Sequence, residues 1–536
     1  MIRKYSALLA CIGLAGLFLL LGVGFIPLAG AQYDEALFVL AIFSPASADY
    51  NVTLGQTKVP IMLMSYLGTL KAGIMAPVFD LIGYNHRSLR FPTLAFGAIS
   101  VALYFLTLRR IVSNRIAVLS ALLLATDAAY LLTSVFDWGP VALQHLFFAI
   151  ILYSAVRYSE SRSPLWLILC GLSVGLALWD KAISIWIVAG GGLALLLVFP
   201  SEVWSLLKRP KLAAALVLPA LLGASPLIYY NVERPLATIR SNIVTKDHPL
   251  MNKIASLDRA MNGGGLFGYI VRDAPEGQAG QFRLHERASL WLSARLGAPI
   301  HSLQQILMVG SILALPFMLW SPWRRIALFT GFAFIFSWAL MLLTKGAGGS
   351  LHHTILLWPL PHLLAALTFA EVARRLPVRG FRIGAAVFLA ATLTNLFVLN
   401  QYYAQFFAFG PTSTWTNAAR PLVDTLGRMP GRIVFPSDWG IQQQVDFYGA
   451  GKLGVTRNSE DTVLRISDPT ARKFLEWALS VPEHVFVTHT GNNEAFVGIR
   501  AKLLDFAASQ GYAHSLIGVI NDRHNVPIFE LHEFRK

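Results

Sequence analysis

Two adjacent carboxylates, Asp34 and Glu35, are the residues of this sequence best placed to do chemistry. They follow the first long apolar run and precede a second apolar stretch, 37–43. A helix that begins here would hold an acid at the edge of a bilayer, where a carboxylate can accept a proton from a hydroxyl group. Asp is also a favoured helix cap and Glu is favoured in the first turn, so the same spacing fits a structural role.

Basic side chains form a second group with chemical potential. Arg90 stands at the start of an apolar run, and Lys345, His352 and His353 flank a glycine-rich segment, 346–350. Arginine can bind two phosphate oxygens at once, and glycine lets backbone amides approach an anion closely. These residues are therefore candidates for holding a phosphate. Arg90 could equally be an interfacial arginine, and two neighbouring histidines rarely present to one metal ion.

Further charged residues interrupt or end apolar runs. Asp137 precedes a Trp-Gly-Pro sequence and could orient a substrate or cap the next helix. Asp127 lies within an apolar run, so either it faces a cavity or its helix ends early. Asp180 and Lys181 could neutralise each other at an interface, although Lys181 is also a weaker candidate for binding an anion.

Membrane-spanning helices must position these residues. Only 14% of the 536 residues are charged, against about 25% in soluble proteins, and 55% are hydrophobic. Apolar runs that approach the roughly 20 residues needed to cross a bilayer recur as far as residue 401. We predict about eleven spans, at 7–28, 90–108, 116–135, 139–156, 164–179, 182–200, 212–230, 302–320, 326–343, 353–370 and 383–401.

Lys and Arg are concentrated in alternate turns between these predicted spans, including 109–115, 157–162, 208–211 and 374–382. The positive-inside rule makes that side cytoplasmic, so the net charge of +15 marks membrane orientation and not a nucleic-acid partner. The N-terminus is then cytoplasmic, and the segments 31–89, 231–300 and 402–536 lie on the outer face. The first run also resembles a secretory signal, although its apolar stretch is long for one.

The sequence from residue 402 onwards has no spanning run and predicts a compact α/β unit. Strands are predicted at 432–435, 485–488 and 516–520, helices at 469–480 and 494–509, and an added edge strand at 526–531. Within this unit, Trp439 could touch carbohydrate or be buried in a turn. The predicted fold class is thus an all-α polytopic membrane bundle, 1–401, with a small C-terminal α/β soluble domain, 402–536.

Several segments, taken in order, resemble the GT-C superfamily of membrane glycosyltransferases. The similar segments are the Asp34-Glu35 pair, YLGTLK at 66–71, SLRFP at 88–92, FDWGPVALQ at 136–144, LWDKA at 178–182 and KGAGGSLHHTILLWPLP at 345–361. Within that superfamily, the branch with protein O-mannosyltransferases and aminoarabinose transferases is the nearest match. The resemblance covers residues 1 to about 400.

The resemblance implies an enzyme that transfers a sugar from a polyprenyl-phosphate carrier to an acceptor hydroxyl on the outer face, with inversion. The matching catalytic acid is Asp34, with Glu35 as a second candidate. Asp137 matches an acid that orients the donor sugar or a bound cation, which leaves room for a divalent cation as cofactor. Relatives tend to have Arg or Tyr near His352 and His353, so these histidines are a departure that would make phosphate binding depend on pH.

The predicted partners are the polyprenyl-phosphate-sugar donor, membrane lipids and a protein, lipid or glycan acceptor. The lack of a long lumenal repeat domain favours a prokaryotic inner membrane. A lipid or solute transporter or flippase would share the many spans, but it should show broken segments in paired halves, which this sequence lacks. A structural scaffold would need no acids facing a cavity.

Overall fold

The computed structural model describes residues 2–43, 45, 48–243, 249–277, 280–297, 301–450 and 453–536. In chain order the helices are α1 (Ile2–Val23), α2 (Tyr33–Phe43), α3 (Leu70–Ile82), α4 (His86–Ile111), α5 (Asn114–Thr126), α6 (Ala128–Val135), α7 (Val141–Ser161), α8 (Pro164–Asp180), α9 (Ile185–Val198), α10 (Pro200–Leu207), α11 (Pro210–Glu233), α12 (Ala237–Ile243), α13 (Leu250–Asn262), α14 (Leu284–Leu296), α15 (Gln304–Leu313), α16 (Arg324–Leu343), α17 (Leu351–Thr354), α18 (Leu360–Arg375), α19 (Pro377–Ala408), α20 (Ala419–Leu426), α21 (Ile441–Gly449), α22 (Glu460–Leu464), α23 (Pro469–Leu479) and α24 (Ile499–Ser509). The strands are β1 (Tyr50–Leu54), β2 (Thr57–Met64), β3 (Leu67–Gly68), β4 (Val434–Pro436), β5 (Val485–His489), β6 (Ala513–Asn521) and β7 (Pro527–Arg535).

Long apolar helices form most of the chain up to the end of α19. Among the described residues, seven helices are long and apolar enough to cross a membrane, and the number rises to nine if each of two bent pairs is one span. The bent pairs are α5 with α6, at 56°, and Ala182–Val198 with α10, at 102°, while α8 and α15 are shorter apolar helices. The eleven predicted runs are therefore mainly helical, but only seven to nine of them have the length and composition of a span. The polytopic helical bundle is confirmed.

Local sequence explains where several of these helices begin. Proline occupies the first turn of α8, α10, α11 and α19, where its missing N–H has no intrahelical partner to lose. Asn85 caps α4, because its side chain accepts hydrogen bonds from the backbone N–H groups of Arg87 and Ser88. The Ser88 hydroxyl accepts in turn from the Asn85 N–H, which completes a capping box.

Asp127 marks the break between α5 and α6. Its Oδ1 accepts a hydrogen bond of 3.0 Å from the Tyr130 N–H and so caps α6. Its Oδ2 accepts hydrogen bonds of 2.6 Å from both Gln304 and Trp358. The alternative in which the helix ends early is therefore the observed one, and this buried carboxylate is part of the polar interior of the bundle.

The segment between α1 and α4 folds into α2, a three-stranded antiparallel sheet in the order β1-β2-β3, and α3. Gly55 takes φ +63° in the turn between β1 and β2. The end of this sheet pairs with the chain after α8: Leu67 forms an antiparallel bridge with Lys181, and the Ala182 N–H donates to the Tyr66 carbonyl at 2.9 Å. These contacts bring Lys181 next to the start of α3.

The C-terminal segment contains a four-stranded sheet in the order β4-β5-β7-β6, with β4 and β5 parallel and the other pairs antiparallel. The predicted strands and both predicted helices are present, which confirms a small α/β unit. The prediction of an edge strand at 526–531 is wrong, because β7 lies between β5 and β6. The burial of the two strands gives the reason: β7 is mostly buried, whereas the more exposed β6 forms the edge.

Candidate active site

Asp34 lies in the first turn of α2 with its side chain half-buried. The next residue, Glu35, caps the start of this helix, because its carboxylate accepts a hydrogen bond of 3.2 Å from the Gln32 N–H. Within the described chain, the Asp34 carboxylate takes part in no hydrogen bond or ion pair. The structural role that the sequence left open for both acids therefore falls to Glu35, and Asp34 is left available.

Arg90 anchors the loop that carries Asp34. Its guanidinium binds Glu35 with two hydrogen bonds, of 2.8 and 3.1 Å, and both side chains are buried. The remaining N–H groups donate to the carbonyls of Ile26, Ala29 and Gly30 at 2.7–2.8 Å. All five N–H donors of the arginine are thus bound to protein acceptors. This geometry argues against the predicted phosphate contact of Arg90 and the predicted catalytic role of Glu35.

The C-terminal segment holds the same loop from the other side. The Ala31 N–H donates to the Tyr448 hydroxyl at 3.0 Å, and the Gln444 side chain donates to the Ala31 carbonyl at 2.9 Å. The Gly30 N–H donates to the Trp415 carbonyl at 2.8 Å. The backbone preceding Asp34 is therefore fixed by contacts from residues more than 380 positions away in the sequence.

Lys71 and Asp137 form a buried ion pair beside this loop. The Lys71 ammonium lies 2.7 Å from Asp137 Oδ2 and 3.0 Å from the carbonyl of the same residue. Asp137 Oδ1 accepts hydrogen bonds from the Val141 and Ala142 N–H groups and so caps α7. Burial raises the pKa of Asp137, and the Lys71 charge and these hydrogen bonds oppose that rise. The cap predicted for Asp137 is therefore present, and its other oxygen is bound by Lys71, while its predicted role in orienting the donor sugar or a cation stays a prediction.

Lys181 is a buried cation without a hydrogen-bond partner among the described residues. Its neighbour Asp180 accepts a hydrogen bond of 2.9 Å from Gln144 instead, and no ion pair joins the two. Burial lowers the pKa of Lys181 to about 8, although the charges of Asp137, Asp180 and Asp34 oppose the change. The interpretation that Asp180 and Lys181 simply neutralise each other is not what the structure shows.

The electrostatic surroundings of Asp34 favour a base that works near neutral pH. Burial raises the pKa of Asp34 to about 7, while the positive charges of Lys181 and Lys71 oppose the rise and the Glu35 charge adds to it. A carboxyl group with this pKa can both accept and release a proton in the physiological range. It also lies close enough to the two lysines for their charges to act on it.

The wall of a cavity of about 400 Å³ includes Trp138, Arg259, Tyr269 and His352, together with Gly349 and Ser350 of the glycine-rich segment. Asp34 does not line this cavity, but burial raises the pKa of Tyr269 and the Asp34 charge adds to that rise, so the wall lies near the carboxylate. The cavity is bounded by the turn before α7, by α13 and the loop after it, and by the start of α17.

The hydrogen bond of His352 fixes the protonation of its ring. Trp138 Nε1–H donates to His352 Nδ1 at 2.9 Å, and an indole nitrogen can only donate. His352 Nδ1 therefore carries no proton, the ring is neutral, and the proton resides on Nε2. A neutral ring with one N–H donor can bind a phosphate oxygen, but protonating it would break the bond to Trp138. This argues against the predicted pH dependence through His352.

Comparison with known proteins connects this geometry to a family. Residues 70–230 match the family model described as dolichyl-phosphate-mannose-protein mannosyltransferase. ArnT from Cupriavidus metallidurans, bound to undecaprenyl phosphate, has a similar structure over 99% of this chain and 98% of its own, with a TM-score of 0.63 at 12% identity. Its apo form matches over the same shares, with a TM-score of 0.56 at 13% identity. The chain thus has a fold similar to that of ArnT, and its residues 70–230 are similar to the dolichyl-phosphate-mannose-protein mannosyltransferase family.

A second structural neighbour is AglB from Archaeoglobus fulgidus, in complex with an inhibitory peptide and a dolichol-phosphate. The similarity covers 91% of this chain and 70% of that one, with a TM-score of 0.50 at 12% identity. No curated protein sequence matches the chain. The resemblance to the O-mannosyltransferase and aminoarabinose transferase branch is thereby confirmed, as is a multi-pass membrane protein.

The remaining predicted site residues are placed differently. The ring centroids of His352 and His353 are 4.2 Å apart, so the two histidine side chains lie together. Lys345 is exposed, and the structure shows no contact of it with Asp34. Over the described ranges, no group of three or more His, Cys, Asp or Glu residues is arranged to hold a metal ion.

The sequence reasoning missed Lys71 and gave Lys181 too little weight. Lys71 belongs to the YLGTLK segment but was assigned no role, although a lysine at the start of an apolar helix must find a charged partner when it is buried. The sequence alone therefore indicates that Lys71 needs a charged partner. It does not identify that partner, because Asp137 is 66 residues away in the sequence.

Proposed function

We propose that this chain is a glycosyltransferase that moves a sugar from a polyprenyl-phosphate donor to an acceptor hydroxyl, with Asp34 as general base and inversion at the anomeric carbon. The observation that carries the proposal is the pairing of Asp34 with Lys181: the described chain gives the Asp34 carboxylate no hydrogen bond, the buried Lys181 ammonium beside it has no hydrogen-bond partner either, and burial raises the pKa of Asp34 to about 7. The undecaprenyl phosphate bound to ArnT and the dolichol-phosphate bound to AglB support a lipid-linked donor.

The reaction needs a base because an acceptor hydroxyl is a weak nucleophile at neutral pH. Asp34 accepts the hydroxyl proton as the acceptor oxygen bonds to the anomeric carbon, on the face opposite the phosphate. The bond from that carbon to the phosphate oxygen breaks, and its electron pair leaves on the phosphate. The products are a glycosylated acceptor and the polyprenyl phosphate, with the proton on Asp34. Since a phosphate leaves as an anion, no general acid is required.

Lys181 is the residue we propose for stabilising the charge that develops on the leaving phosphate. A buried ammonium without hydrogen bonds can donate to phosphate oxygens, and its charge has more effect in a site of low dielectric constant than in water. His352 Nε2–H and Arg259 provide further donors in the cavity wall. Lys71 has a different role in this proposal, because its ammonium already binds Asp137.

The orientation that we propose places the catalytic loop on the extracytoplasmic face of a prokaryotic inner membrane. The support comes from the basic residues at the opposite helix ends, such as Arg109 and Arg110 in the last turn of α4 and Arg374 and Arg375 in that of α18. Accessibility of single cysteines, introduced at positions 58 and 110, to an impermeant thiol reagent would test this orientation. Labelling of the Arg110→Cys variant from outside would contradict it.

The decisive experiment is sugar transfer by the purified full-length chain in nanodiscs. A set of radiolabelled polyprenyl-phosphate monosaccharides is supplied as donors, and bacterial envelope extract is supplied as acceptor. We expect label to enter the acceptor fraction with the wild-type chain and to be lost in Asp34→Asn, which keeps the shape of the side chain but cannot accept the proton. Asp80→Asn, the same change at an exposed position of α3, is the matched control for handling and folding.

Full transfer by Asp34→Asn would refute the assignment of the base. Donor uptake into sealed vesicles without any transfer by the wild-type chain would instead favour the transporter or flippase class.

A further inference from the structure

Beside Asp34, the first outer segment and the C-terminal segment meet in a cluster of aromatic rings. Tyr33 of α2 stacks on Trp439, with ring centroids 4.7 Å apart and planes inclined by 28°. Both side chains are half-buried, so part of each ring is accessible. Gly440 follows with φ +85°, and a Cβ atom there would lie 3.6 Å from the Tyr33 Cβ. We call Tyr33, Tyr66, Trp439 and Glu460 the aromatic platform.

A fully buried carboxylate holds the backbone of the platform in place. Asp438 Oδ1 accepts hydrogen bonds from the N–H groups of Trp439 and Phe496, at 2.8 and 3.2 Å. Its Oδ2 accepts from the Ala495 N–H at 3.0 Å and contacts His489 Nδ1 at 2.7 Å. Because these contacts satisfy Asp438, the turn is rigid and the Trp439 ring has a fixed position beside the catalytic loop.

Tyr66 and Glu460 lie within electrostatic range of the Tyr33 phenol. Burial, with the charges of Asp34 and Glu460 as further causes, raises the pKa of Tyr33 to about 12. Burial and the Asp34 charge raise the pKa of Tyr66 to about 12 as well. Both phenols are therefore protonated hydrogen-bond donors at neutral pH, and Glu460 at the start of α22 adds a half-buried carboxylate acceptor. The platform thus combines a flat apolar surface with donors and acceptors close to the proposed base.

The edge of the C-terminal sheet formed by β4 cannot pair with an extended peptide. The Val434 N–H donates to the Val455 carbonyl, and the Arg457 N–H donates to the Val434 carbonyl. The Ser459 N–H donates to the Pro436 carbonyl. The free edge of β4 is therefore covered by the chain's own backbone, and a peptide acceptor could not add there as a further strand.

We propose that the aromatic platform is the acceptor subsite and that it binds a pyranose ring carried by a glycan or a glycolipid. The proposal rests on the proposed function, since it requires a hydroxyl of that ring to reach Asp34. A sugar ring presents an apolar C–H face, which suits Trp439, and a rim of hydroxyl groups, which suits Glu460 and the two phenols. The C-terminal segment thereby contributes directly to the choice of acceptor.

The test uses the same transfer assay with fractionated acceptors and separate Michaelis constants for donor and acceptor. We expect label in protease-resistant material, with phase extraction separating glycolipid from soluble glycan. Trp439→Ala should raise the acceptor KM about tenfold and leave the donor KM unchanged, because loss of one aromatic face removes roughly 1.4 kcal/mol. Trp439→Phe should retain most of the affinity. Trp291→Ala, which alters an exposed tryptophan of α14, is the matched control.

Each outcome separates this proposal from the one on which it rests. Label in protease-sensitive protein, or an unchanged acceptor KM in Trp439→Ala, overturns the sugar-binding platform. The proposed function is still supported in that case if the Asp34→Asn variant is inactive. Full activity of Asp34→Asn removes the proposed function itself. If Trp439→Ala does not fold, Glu460→Gln at the rim serves the same test: an unchanged acceptor KM there overturns the platform, and an increase supports it.

Discussion

Replacing Lys181 should change the pH dependence of transfer in a way that tests both proposed roles at once. The reaction needs Asp34 deprotonated and Lys181 protonated, and their pKa values are about 7 and about 8. The rate should therefore rise with pH as Asp34 ionises and fall at higher pH as Lys181 loses its charge. With these two values, kcat/KM peaks near pH 7.5 and is about sevenfold lower near pH 6 and near pH 9.

Two substitutions then move the limbs of this profile separately. Lys181→Arg keeps its charge at every accessible pH, so the alkaline limb should disappear while the acidic limb stays near pH 7. Lys181→Met removes the charge that most strongly opposes the effect of burial on Asp34, so the acidic limb should move to higher pH. A rise of about one unit would lower the ionised fraction of Asp34 at pH 7 about fivefold.

The assay is kcat/KM for the lipid-linked donor, measured from about pH 5 to about pH 10 at constant ionic strength, because this parameter reports the groups of the free enzyme. Lys58→Arg, at an exposed position of β2, is the control and should leave both limbs in place. A wild-type profile that is flat between pH 6 and pH 9 would refute the reasoning about Asp34. An alkaline limb that persists in Lys181→Arg would refute the role of Lys181.

Three further predictions concern the residues around the base. Arg90→Met leaves a buried carboxylate without its partner, so we expect a loss of about 3–5 kcal/mol in unfolding free energy, measured by denaturant titration in detergent. Lys71→Met should likewise lower the thermal midpoint more than Asp137→Asn, because an asparagine oxygen can still cap α7 whereas the unpaired acid stays buried; equal midpoints would contradict this. Joint replacement of His352 and His353 by alanine should raise the donor KM more than the acceptor KM, and an unchanged donor KM would remove both from the site.

The sequence was sufficient for the features that depend on composition and local pattern. Apolar runs, alternating basic turns and ordered motifs predicted the bundle, and strand-like stretches predicted the C-terminal sheet. The position of β7 inside that sheet was not predictable from its own residues, because strand order depends on which faces are covered by distant helices. Four of the eleven predicted spans are not single long helices, because two are bent pairs, such as the one broken at Asp127, and two, α8 and α15, are shorter; hydropathy does not reveal where a helix bends or ends.

The candidate site shows the same division between local and distant information. Asp34 was identified because an acid at the start of an outer helix is a local feature. Whether Arg90 binds phosphate or protein depends on acceptors contributed by residues 26–35, and Arg90 is fully occupied by them. The availability of Lys181 likewise depends on Gln144 binding Asp180 in its place. Such long-range pairings are not encoded in the spacing of any one motif.

The hydrogen bonds between the C-terminal segment and the loop before Asp34 have a consequence for biosynthesis. Ala31 is among the first residues to be made, yet its hydrogen-bond partners Gln444 and Tyr448 are made more than 400 residues later. Until translation has passed that point, the loop before Asp34 lacks the hydrogen bonds from Gln444 and Tyr448. We therefore expect a ribosome-stalled or truncated chain to be inserted but inactive, so that the order of synthesis would delay the proposed sugar transfer until the C-terminal segment has been made.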